Sequence, residues 1–182
     1  MSPSSDRRWS QDAYISAYRF AARAHLGQTV PGTEISYLMH VSLVSMEIIA
    51  AFAAGERGDQ NLAVQCALLH DTLEDTPTTF DDLEREFDRD VANGVAALTK
   101  NDAIEKELRM ADSLRRITEQ RREIWMVKLA DRITNLQPPP AHWTRDKVAK
   151  YKTEAAQIHN ALRGASAFLS ARLLERLAVY GV

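Results

Sequence analysis

Apolar residues recur along this chain at the three-to-four spacing of helices, and no segment alternates convincingly as a strand does. Tyr14, Ala17, Tyr18 and Ala21 form one such stripe, preceded by Ser10, a residue type that caps helix starts. The turn-rich GQTVPGTE then interrupts the pattern. A second helix is expected over about Tyr37 to Ala54, stopped by Gly55, and a third from about Asn61 to His70-Asp71 or one turn beyond. Pro77 biases Thr76 away from helical geometry, which leaves HDTLEDTP at a helix end. Thr79 opens the next helix, with acids in its first turn suiting the dipole. Further helices are expected over Asp90 to Leu98, Asp102 to Ile117, Arg122 to Leu136, Arg145 to Leu162 and Ala165 to Tyr180, with prolines 138–140 separating two of them. The pattern predicts an all-α, single-domain bundle over residues 11–182, preceded by a polar, disordered segment 1–10.

Composition narrows the function. The 182 residues are 45% apolar and 26% charged, the balance of a soluble globular domain with a real core. A net charge of −2 argues against a dedicated nucleic-acid binder. The single cysteine, Cys66, excludes an internal disulfide and a cysteine-built zinc site. Arg7-Arg8 is followed by no apolar export segment, and the stretch around Ile48 to Ala54 is too short to cross a bilayer. A cytoplasmic protein is expected, with no membrane contact and an oligomeric state that the sequence leaves open.

The candidate chemistry gathers in three segments. The apolar run Ala67-Leu68-Leu69 leads directly into His70, Asp71, Glu74 and Asp75. Carboxylates held together away from water repel unless a cation compensates them. His40 on the second helix and Asp131 within KLADRITN complete a split metal site. Imidazole and carboxylate ligands suit Mn²⁺, Fe²⁺ or Zn²⁺, and the lack of thiolates weakens a purely structural zinc reading. Lys128, Asp131 and Asn135 share one helix face, which suits a phosphorylated substrate. Each element has a plainer reading, such as a core histidine or an amphipathic helix with a surface ion pair. Three segments supplying one ion's needs together favour the metal site.

The chain resembles the HD-domain metal-dependent phosphohydrolases, and specifically the RelA/SpoT-type hydrolase domain in its stand-alone form, the small alarmone hydrolases. The resemblance rests on AHLGQ (24–28), YLMH (37–40), ALLHDTLEDT (67–76), LTK (98–100), KLADRITN (128–135) and YKTEAAQI (151–158), in family order. It implies an all-helical HD fold with one divalent ion, usually Mn²⁺, held by His40, His70, Asp71 and Asp131. It implies removal of the 3′-pyrophosphate from (p)ppGpp or a related nucleotide. Glu74 and Asp75 match the pair that positions and deprotonates the attacking water. Asn135 and Tyr151 match positions lining the sugar and phosphate side, and Lys106, Arg109 and Lys128 are candidate phosphate partners.

One departure bears on specificity. After GQ the family usually carries Arg-Lys, which contact base and phosphates; here Thr29 and Val30 stand there. A guanidinium able to stack on a purine is therefore missing. The adenine nucleotide (p)ppApp becomes a candidate beside (p)ppGpp. Two other readings compete: a broader phosphatase of nucleoside monophosphates or NADPH, and a catalytically silent nucleotide-binding or partner-binding module.

Overall fold

The computed structural model describes residues 9–181. Ten α-helices run through them: α1 Gln11–Ala24, α2 Leu38–Ala53, α3 Gln60–Leu69, α4 Thr72–Asp75, α5 Phe80–Glu86, α6 Arg89–Leu98, α7 Arg109–Thr118, α8 Arg122–Asn135, α9 Arg145–Leu162 and α10 Ala167–Val179. The fold is all-helical. The one β contact among the described residues is an isolated bridge between Thr29 and Ser36.

Local chemistry explains the boundaries. Ser10 accepts from the Ala13 amide and caps α1, while Thr79 and Asp82 form a reciprocal capping box at α5. The expected disordered segment lies outside the described residues for positions 1–8. Of its remainder, the Trp9 and Ser10 amides donate to the side chains of Gln60 and Asn61.

The helix expected from Asp102 begins instead at Arg109. The Arg109 guanidinium folds back onto the Asp102 carboxylate, and also takes the backbone carbonyls of Asp102 and Ile104. Those carbonyls serve a side chain rather than a helical ladder, so residues 101–108 stay irregular.

The core explains where the site sits. Leu62, Ala63, Val64, Cys66, Ala67, Leu68 and Leu69 are all buried, so α3 is covered around most of its girth and occupies the centre. It packs on α2 and on α8, whose Val41, Val44, Ile48, Met126, Leu129 and Ile133 belong to the same buried core. Gly94 lets α6 close on this pair, because a Cβ there would lie 2.5 Å from Ile124 Cδ1 and 2.8 Å from Cys66 Sγ. The three central helices thus bring His40, the end of α3 and Asp131 to one place.

Candidate metal centre and substrate cleft

Helix α3 stops at Leu69, and the chain resumes helical geometry in the single turn α4. His70 and Asp71 occupy the break, where the Thr72 hydroxyl takes the Leu69 carbonyl at 2.7 Å. Both residues keep right-handed helical dihedrals, so their side chains leave the backbone in different directions and meet beyond the end of α3.

His40, His70 and Asp131 are buried, and their donor atoms lie within 4.8 Å of one another. The two Nε2 atoms stand 3.3 Å apart. Oδ2 of Asp71 lies 3.5 Å from His40 Nε2 and 2.9 Å from His70 Nε2, while Oδ1 of Asp131 lies 3.6 and 3.8 Å from them. Nδ1 of His70 meets the Ala67 carbonyl at 2.9 Å, and a carbonyl only accepts, so Nδ1 is the donor. The Nε2 of His70 is therefore left to face a second imidazole and two carboxylates. This donor set fits a divalent cation, with the other ring nitrogen anchored as metal-ligating histidines require.

The electrostatics agree. Burial works against a charge on His70, but Asp71 and then Asp131 override it and lift the imidazole to about 9. Burial likewise works against the Asp71 anion, yet His70, with hydrogen bonds from His40, His70 and Tyr37, holds that carboxyl well below the usual range. Asp131, pushed up by burial, is brought down to about 2 by Lys128 and then His70. The cluster demands positive charge.

A cleft of about 440 Å³ opens beside these ligands, within the usual size of small-molecule sites. Asp71, Asp131, Glu74, Asp75, Lys106, Arg109, Lys128, Asn135 and Tyr151 all line it, whereas Thr29 and Val30 do not. Several expected substrate contacts are already engaged. Lys128 Nζ pairs with Asp131 at 2.9 Å, and Asn135 Nδ2 donates to the other oxygen of that carboxylate at 2.5 Å. Arg109 holds Asp102, as described above.

Glu74 and Asp75 differ in their surroundings. Glu74 receives the Lys100 ammonium at 2.5 Å and the Lys100 amide at 3.0 Å, one on each oxygen. Among the described residues, the Asp75 carboxylate receives only the Gln28 side chain, at 3.3 Å. Burial and the nearby Asp71 raise the Asp75 carboxyl above its ordinary value.

Sequence reasoning gave no role to five residues that shape this site, Tyr37, Gln28, Lys100, Arg132 and His25. Tyr37 donates its hydroxyl to Oδ2 of Asp71 at 2.5 Å. Gln28 reaches Asp75 and is itself fixed by His25, whose Nδ1 lies 2.7 Å from the Gln28 oxygen. Lys100 holds Glu74, and Arg132 lines the cleft over the Tyr151 ring. The first three lie within AHLGQ, YLMH and LTK, so the motifs flagged the segments without revealing the contacts.

Residues 17–167 match the family model described as the HD domain. The chain belongs to the HD-domain family. Among its HD-domain relatives is the guanosine-3′,5′-bis(diphosphate) 3′-pyrophosphohydrolase MESH1 of Xenopus tropicalis, 33% identical over 165 residues, which are 87% of this chain and 89% of that protein. The Homo sapiens protein of the same name is 33% identical over 156 residues, 82% of this chain and 84% of that one. A solved HD-domain structure, described as a metazoan ortholog of SpoT that hydrolyzes ppGpp and plays a role in starvation responses, is similar at a TM-score of 0.81. It is 28% identical, with 96% of this chain and 99% of that chain covered. No helix among the described residues is long and apolar enough to cross a membrane.

Proposed function

We propose that this chain is a divalent-metal-dependent pyrophosphohydrolase that removes the 3′-pyrophosphate from purine alarmones of the ppGpp type. The observation that carries the reading is one cleft lined by Asp71 and Asp131, the carboxylates of the cluster they form with His40 and His70, and by the lightly held carboxylate of Asp75. Likeness over most of the chain to proteins named for that activity supports it. A divalent ion at the four ligands supplies charge neutralisation at a phosphoryl oxygen and acidifies water. Manganese is our assignment, consistent with a mixed imidazole and carboxylate set; Fe²⁺ and Zn²⁺ share that chemistry.

The side chains then divide the work. Asp75 takes the proton of the attacking water, because its environment favours the protonated product and only one amide competes for it. Both oxygens of Glu74 are committed to Lys100, so Glu74 fixes that ammonium at the cleft rather than acting as base. Lys128 and Asn135 hold Asp131 in position, and Tyr37 does the same for Asp71. Water attacks the phosphorus bonded to the 3′ oxygen, that P–O bond breaks, the water oxygen departs within one intact pyrophosphate, and the 3′ oxygen takes up a proton to become a free hydroxyl.

The base is read loosely in this account. Thr29 and Val30 lie outside the cleft lining, and the apolar residues there, Leu98 and Met110, offer contact without a hydrogen-bond code. We assign (p)ppApp as a substrate beside (p)ppGpp, acting in the cytoplasm. Incubating the Mn²⁺-loaded protein with ppGpp, ppApp, NADPH and nucleoside monophosphates tests the reading. Turnover confined to the two alarmones is expected; preference for NADPH or monophosphates would replace it with a broader phosphatase, and no turnover at all with a silent binding module.

A further inference from the structure

Arg132 follows Asp131 on α8 and is only 7% exposed. A buried guanidinium is strongly unfavourable unless hydrogen-bonded or paired. Three other cations lining the cleft have such partners: Lys100 holds Glu74, Lys128 holds Asp131 and Arg109 holds Asp102. Arg132 differs. Its Nε and Nη1 are buried and have no hydrogen-bond partner among the described residues.

What Arg132 has instead is a platform. Its guanidinium carbon lies 4.4 Å from the centre of the Tyr151 ring, contributed by α9. The ring face attracts the cation and fixes its plane. Stacking leaves the N–H groups at the edge unspent, and both residues line the cleft that also contains Asp71, Asp75 and Asp131. A planar, pre-oriented fork of N–H donors matches phosphate oxygens in two-point contact, which a lysine does not reproduce.

We infer that Arg132, seated on Tyr151, is an anion-binding residue that takes a phosphate group of the substrate. The inference rests on the proposed function for the identity of the ligand, and on the orphaned guanidinium for the existence of the site. Two phosphate sources share this chemistry, the 3′-pyrophosphate and the 5′-phosphates of the nucleotide.

A mere strut between α8 and α9 would use the same cation–ring contact, and stability separates the two roles. Removing a strut lowers the melting temperature. Removing an uncompensated buried charge leaves it unchanged or raises it, while ligand binding suffers. The experiment compares Arg132→Met and Arg132→Lys with the wild type, each as the metal-loaded full chain. The Met variant should melt no lower than wild type. Its KM for ppGpp should rise roughly tenfold or more, the scale of a lost charge-assisted hydrogen bond, while kcat changes far less. The Lys variant should fall between.

Calorimetric titration with inorganic pyrophosphate and with GDP distinguishes the sources. Weakened pyrophosphate binding puts Arg132 on the 3′ group; weakened GDP binding puts it on the 5′ group. Unchanged affinity for both, or a lower melting temperature with unchanged KM, overturns the inference and leaves a strut. A wild type that hydrolyses no ppGpp yet binds pyrophosphate through Arg132 removes the proposed function and keeps the anion site.

Discussion

The Nε2 atoms of His40 and His70 face each other at 3.3 Å. One imidazole on α2 and one just past the end of α3 meet this closely, with two carboxylates within 4 Å, as a shared cation requires. About one divalent ion per chain should copurify or bind, the usual count for one such ligand set. Asp131→Ala should abolish both metal content and turnover, as elemental analysis and a hydrolysis assay will read. A mutant still fully loaded with metal would remove Asp131 from the ligand set.

Tyr37 reaches Asp71 across the turn that precedes α2. Tyr37→Phe deletes only the hydroxyl that orients this carboxylate. Metal affinity should fall roughly 10- to 100-fold, the common effect of losing a partner of a ligand. Competition with a graded series of chelators measures it. Unaltered affinity would show that Asp71 is held without the tyrosine.

Asp75 and Glu74 should separate in their effects. Asp75→Asn should lower kcat roughly 100-fold or more, the scale of a lost general base, with metal content unchanged. Glu74→Gln should cost less in kcat, because it frees Lys100 rather than removing the base. Loss of metal from Asp75→Asn would place that carboxylate among the ligands instead, and equal losses in the two variants would contradict the division of roles.

Much of this site was legible because its chemistry sits in short, distinctive segments. His40, His70-Asp71 and Asp131 each stand out against apolar helical stripes, and α2, α3 and α8 bring them together. What stayed hidden depends on contacts between distant segments. The start of α7 was misplaced because the Arg109 side chain captures carbonyls that periodicity assigns to a helix. Gln28 and Lys100 reveal nothing until they are seen on Asp75 and Glu74. Arg132 reads in sequence as one more charge on an amphipathic helix; only its burial marks it out. Lys128 and Asn135 share a face with Asp131 as the spacing implies, but they turn toward that carboxylate.

The base should be read weakly. With Thr29 and Val30 in place of a stacking cation, ~1 kcal/mol or more of purine contact is missing. Guanine's O6 and amine then gain no dedicated partner, and a pocket that leaves polar groups unpaired discriminates against them. ppApp should therefore be hydrolysed at least as efficiently as ppGpp. Competing the two substrates in one reaction gives the ratio of kcat/KM directly, and a strong preference for ppGpp would contradict this.

Which bond breaks decides between a 3′-pyrophosphohydrolase and a stepwise phosphatase. Metal-loaded protein is incubated with ppGpp, and its products are resolved by ion-exchange chromatography over the first turnovers. GDP and inorganic pyrophosphate should appear in equal amounts, with no orthophosphate and no reaction after the metal is removed. Stepwise release of orthophosphate, or hydrolysis that persists without metal, would contradict it.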